Sequence, residues 1–179
     1  MQVSRNMTST LRWAGALLVC AAAASPAIAN DRASASAAAV AAGFLDALQR
    51  ERFEDAAAML APAAKPGAST AAPAQALRRL GAELGGYSAM RPVVRMPAGG
   101  SMRTTIPAHP ATLAPGTWFL QQIYTATATD GQAVYVELQL SADAKAPRLL
   151  SLALHLPTTD PASTERAKTF LHRVASAGK

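Results

Sequence analysis

Asp130-Gly131 stands between two runs with strand character, TWFLQQIYTATAT (117–129) and QAVYVELQL (132–140), and this hairpin signal constrains the chain more than any other feature. A third run, PRLLSLALHL (147–156), follows a short loop containing Asp143 and Lys145. Three consecutive antiparallel strands form a sheet that must bury one face. The hairpin register decides which residues that face carries.

With Asp130 and Gly131 as the two turn residues, Thr127 is expected opposite Val134, Thr125 opposite Val136 and Ile123 opposite Leu138. The core face then reads Phe119, Gln121, Ile123 and Thr125, with Val134, Val136, Leu138 and Leu140, and with Leu150, Leu152, Leu154 and Leu156. The other face receives Trp118, Leu120, Gln122, Tyr124, Tyr135, Glu137, Gln139, Leu149, Ser151, Ala153 and His155. A solvated face rarely collects so many large apolar groups. Trp118, Tyr124, Tyr135, Leu149 and Ala153 are therefore the candidate interface, covered by a second copy of the chain or by an envelope partner. The alternative cover is a C-terminal helix carrying Phe170, Leu171 and Val174.

The first half of the chain has helical periodicity. Val40, Phe44 and Leu48 form a stripe, and the step from Leu48 to Phe53 is one that a straight helix would turn off it, so a bend is expected at residues 50–52. Pro62 closes the second helix. A third begins near Pro73, places Leu77, Leu80 and Leu84 together and ends at Gly85-Gly86. RPVVRM (91–96) is a shorter strand, and Asp160-Pro161 an N-cap and first-turn pair for the C-terminal helix. Helices followed by antiparallel strands define an α+β domain, with the helices on one face of a curved sheet.

The N-terminus has the pattern of an export leader: Arg5 and Arg12, an apolar segment WAGALLVCAAAA, and small residues at Ala27 and Ala29. The expected organisation is a signal peptide over 1–29, a loose mature start over 30–36, the α+β domain over 37–157, and a C-terminal helix and tail over 158–179. The product would be periplasmic or secreted. A lipobox-like LLVC makes a lipoprotein anchored at Cys20 the alternative, although Val19 stands where a small residue is wanted. Cys20 is the chain's single cysteine, so a mature chain starting at Asn30 would hold no disulfide and no thiolate site. The formal charge of +6 falls by two with the leader, and the arginines are scattered among few aromatics, a pattern unlike a nucleic-acid surface. No later run reaches the roughly 18 apolar residues of a membrane helix.

The bent helix pair FLDALQRERFEDAAAML, the segment LRRLGAELGGY leading into the sheet, and the three long C-terminal strands together resemble the nuclear-transport-factor-2-like, or cystatin-like, cone. The resemblance covers about 37–157 and implies the fold, with small exported bacterial proteins among its members. Enzymes of that fold usually place an Asp, Glu, His or Tyr inside the cone, and the register above puts no carboxylate or histidine there.

Chemistry elsewhere is sparse. Tyr124 facing Glu137 is the one acid–phenol pair that the register offers, with a polar cross-strand contact as its plainer reading. His109, His155 and His172 lie on separate elements without metal-ligand spacing. Asp46, Arg50 and Glu54 suit solvent-side ion pairs. The stretch from Pro97 to Gly116 is a long loop, which is either without fixed structure, an extra hairpin, or a basic lip in which Arg91, Arg95 and Arg103 would take an anionic lipid, glycan or peptide. No catalytic, cofactor or metal residue is assigned. The reading is an exported, non-catalytic binding or interaction domain of the cell envelope; the alternatives are a small-molecule enzyme of isomerase or cyclase type and a carrier of a small apolar or anionic ligand.

Overall fold

A computed structural model describes residues 26–60, 70–107, 119–143 and 145–175. The elements run α1 (Pro26–Gln49), α2 (Phe53–Met59), α3 (Ala71–Glu83), β1 (Arg91–Val93), β2 (Ser101–Ile106), β3 (Phe119–Thr127), β4 (Ala133–Ser141), β5 (Leu149–Pro157) and α4 (Pro161–Ala175). The five strands form one antiparallel sheet in the order β1-β3-β4-β5-β2, with helices packed against one face. The chain is thus an α+β domain. Among the described residues no helix is long and apolar enough to cross a membrane. Residues 1–25, which hold most of the expected leader, lie outside the described residues.

The bend falls where the Leu48-to-Phe53 step places it. Glu51 takes φ 57, Arg52 N–H donates to the Ala47 carbonyl and Glu51 N–H to that of Leu48, a helix terminus that usually carries glycine at the left-handed position. Phe53, Ala56 and Ala57 of α2 then turn back onto the core that holds Phe44 and Leu48. Arg50–Asp46 lies on the solvent side at the helical spacing expected, while Arg52–Asp46 crosses the bend and Arg78–Glu54 joins α3 to α2, both also exposed. Helix α3 ends in the same way but with glycine: Gly85 has φ 64, and Gly86 N–H donates to the Gly81 carbonyl.

The β3–β4 hairpin is shifted by one residue from the expectation. Thr127 pairs with Ala133, not Val134, and the ladder continues through Tyr124–Val136 and Gln122–Leu138. Asp130-Gly131 belongs to a longer loop, in which Gly131 N–H donates to the Ala128 carbonyl, Gly131 takes φ 82 and Ala128 N–H donates to the Gln132 carbonyl. A tight turn followed by a left-handed glycine gives a three-residue loop with a bulge, and the same dipeptide serves either geometry. Because strand side chains alternate, the slip exchanges the two faces of β3. Leu120, Gln122, Tyr124 and Ala126 lie on the helix side, with Val134, Val136, Leu138 and Leu140; Gln121, Ile123 and Thr125 lie on the other.

On β5, Leu152, Leu154 and Leu156 are buried in the core as expected. An irregularity at Gln139/Leu140 pairs Leu140 with Leu149, so Leu149 enters the core and Leu150 stays half-buried. Part of the stretch from Pro97 to Gly116, expected to be a long loop, is a strand: 101–106 form β2, an edge strand along β5 with Met102, Thr104 and Ile106 opposite Leu156, Leu154 and Leu152.

Helix α4 does not cover the outer face. It packs beside α3 and against β2 and β5, with Phe170 and Val174 in the common core. Its start is the expected cap: Ser163 N–H donates to Asp160 Oδ1 (2.8 Å) while Asp160 N–H donates to Ser163 Oγ (3.1 Å). Arg173 reaches from α4 to Glu83 (2.7 Å) and Asp130 (3.2 Å), tying it to the end of α3 and to the hairpin loop.

Candidate functional site

The face of the sheet turned away from the helices carries three cross-strand rows: Gln121, Gln139 and Ser151; Ile123, Glu137 and Ala153; and Arg91, Thr125, Tyr135, His155 and Arg103. A polar network runs through them. Ser151 Oγ donates to Gln139 Oε1 (2.6 Å), and Gln139 Nε2 (2.7 Å) and Gln121 Nε2 (2.9 Å) both donate to Glu137 Oε1. His155 Nε2 lies 2.8 Å from Glu137 Oε2. Glu137 is 3% and His155 8% exposed, so both are removed from water. The His155 hydrogen bond, ahead of those from Gln139 and Gln121, outweighs the opposing effect of burial and holds the Glu137 carboxyl down to about 2. An ionised carboxylate only accepts, so Nε2 must carry the proton and donate it.

Residues 94–100 connect β1 on one edge of the sheet to β2 on the other. They must pass four inter-strand gaps, about 19 Å at ~4.8 Å each, with an extended reach of about 24 Å. The connection therefore crosses directly over the outer face, and Thr158 N–H fastens its end by donating to the Gly100 carbonyl (2.9 Å). Between crossover and sheet lies a cavity of about 140 Å³, lined by Met96, Pro97, Gly99 and Gly100 above and by Tyr135 and His155 below. His155 Nδ1 has no hydrogen-bond partner among the described residues and is not among the closed-off polar atoms.

The five candidate interface residues do not share a face. Trp118 lies outside the described residues. Tyr124 points to the helix side, where its hydroxyl donates to Gln122 Oε1 (3.0 Å) and burial pushes its pKa up; it does not meet Glu137. Leu149 is buried in the core. Tyr135 and Ala153 are on the outer face, where Ala153 is already fully buried within the single chain. The arginines are also apart: Arg91 on β1 donates to the carbonyls of Ser88 (2.7 Å) and Met90 (2.9 Å), Arg95 is exposed on the crossover, and Arg103 is exposed on the opposite edge strand. None of the three lines the cavity.

The Glu137–His155 pair escapes sequence reasoning because the longer β4–β5 loop, with its Asp143 side chain accepting from Lys145 N–H, does not by itself fix a register that also shifts at Gln139/Leu140. Both residues do fall on the outward-facing set by alternation alone, and that was the available clue. Among the described residues, no three His, Cys, Asp or Glu side chains converge as a metal site requires. Fold and site together define an α+β domain with a buried carboxylate–imidazole pair beneath a crossover. No family model, curated protein or solved structure matches the chain.

Proposed function

We propose that the protein is an exported binding domain of the cell envelope, built on a nuclear-transport-factor-2-like scaffold, that holds a small ligand in the cavity over His155. The observation that supports this most is the imidazole itself: it lines the cavity, one nitrogen is hydrogen-bonded to Glu137, and the other has no partner among the described residues. A buried polar side chain oriented by a second one is a costly arrangement in a face that could be wholly apolar, and it gives a ligand a directional partner. The leader pattern around Arg5, Arg12, Ala27 and Ala29 supports export, with a mature chain beginning at Asn30.

A second reading rests on the same pair. An imidazole held by a carboxylate through one nitrogen can take a proton at the other, which is how a general base of an isomerase or cyclase works. Native mass spectrometry of the protein purified from its own host tests both. A small molecule recovered unchanged with the protein supports binding; turnover of an added substrate, abolished by His155→Gln, supports the enzyme. A mass corresponding to an acylated chain starting at Cys20 would overturn the cleavage at Ala29.

A further inference from the structure

Resting on that binding reading, we propose that the cavity takes a neutral, ring-sized molecule that donates a hydroxyl hydrogen bond to His155 Nδ1, with a phenol as its simplest form. Size sets the first limit. At about 140 Å³ the cavity is close to the roughly 150 Å³ that accommodates a benzene ring in a protein interior. Its lining suits a ring, since Met96, Pro97 and Pro157 give apolar contact and Tyr135 an aromatic one.

The hydrogen-bond chemistry sets the second limit. Because Nε2 donates to Glu137 Oε2, the lone pair that an uncharged imidazole offers as acceptor is the one on Nδ1. Charge sets the third. No lysine or arginine lines the cavity, where the Glu137 carboxylate sits directly behind the imidazole; Arg103 stands opposite His155 on β2 and Arg95 on the crossover, both outside the lining, so an anion inside would meet the carboxylate before either cation. A neutral donor meets none of these costs.

The test titrates the full chain with phenol, anisole and benzoate, following backbone amides and imidazole resonances by NMR. Phenol should give saturable shifts at His155, Gly99 and Gly100. Anisole, which lacks the hydroxyl proton, should bind about fivefold more weakly, and benzoate no more tightly than anisole. Met96→Trp, which fills the cavity while leaving Glu137 and His155 themselves unaltered, should abolish the phenol shifts and leave the melting temperature unchanged. Equal binding of phenol and anisole, or tighter binding of benzoate at the same resonances, would overturn the hydroxyl-donor class while leaving the cavity as the binding site. Absence of shifts at these residues with all three probes would overturn the cavity reading as well.

Discussion

Glu137 and His155 meet diagonally: Glu137 stands opposite Ala153 and His155 opposite Tyr135, yet the carboxylate and imidazole close to 2.8 Å. Diagonal neighbours on one face of an antiparallel pair lie within reach of long side chains. Gln121 and Gln139 complete the carboxylate's partners from the same face, so the charge is satisfied although it is buried.

Removing that carboxylate should be costly. Glu137→Ala leaves the imidazole and two amides without their acceptor, and a loss of about 1–3 kcal/mol is expected in urea denaturation. A surface-facing Glu137 would give a nearly silent substitution, and that result would contradict the burial described above.

The same group fixes a pH dependence. Its carboxyl is held at about 2 in the folded chain against an ordinary 4.5, so between those values the unfolded state binds more protons than the folded one. The pair's contribution is therefore fully present above pH 4.5 and is lost as pH falls toward 2. Melts across this range should fall more steeply for the wild type than for Glu137→Gln; parallel curves would exclude the depressed carboxyl.

Glu51 holds a left-handed conformation (φ 57) that favours glycine, and among the described residues no ion pair involving its side chain accompanies the strain. Glu51→Gly should stabilise the domain, on the order of 0.5–1 kcal/mol after glycine's greater freedom in the unfolded chain is set against the relief. Glu51→Val should do the reverse. Paired thermal melts check both signs.

Gly81 lies inside α3, where alanine would ordinarily gain about 1 kcal/mol. A Cβ there would come 2.8 Å from Tyr87 Cε2, and the ring has little room to retreat because its buried hydroxyl is bonded to the Leu77 carbonyl. Overpacking of this kind costs about 1–3 kcal/mol. The clash should win, and Gly81→Ala should lower the melting temperature.

Where one residue had one physical role, the sequence was enough to place it. The Leu48-to-Phe53 step located the bend, Gly85-Gly86 the end of α3, and Asp160-Pro161 the start of α4, because helix period and capping act locally. The faces of β4 were legible for the same reason. Two things were not. Asp130-Gly131 fits a two-residue or a three-residue loop equally well, and the choice between them depends on tertiary ties at the loop, such as Thr129 N–H to the Glu83 carbonyl and Arg173 to Asp130. The site depends on β4–β5 pairing whose register shifts at Gln139/Leu140, and on a crossover whose path follows from strand order, which no local pattern encodes. β2 was more accessible than it looked, since Met102, Thr104 and Ile106 alternate with Ser101, Arg103 and Thr105.

The hairpin register itself can be tested with two neighbouring substitutions. In the observed ladder Ala126 pairs with Val134 and is buried against the helices, whereas Thr125 pairs with Tyr135 on the outer face and is only half-buried. A two-residue Asp-Gly turn would exchange them, placing Thr125 in the core and Ala126 outside. Burying an unpaired carboxylate costs several kcal/mol, a large part of a typical domain's stability. Ala126→Asp should therefore unfold the domain or nearly so. Thr125→Asp should be far better tolerated, with Arg91 beside it in the ladder and water within reach. Circular dichroism melts of the two variants decide between the registers, and the opposite ranking would restore the two-residue turn and with it the other assignment of β3's faces.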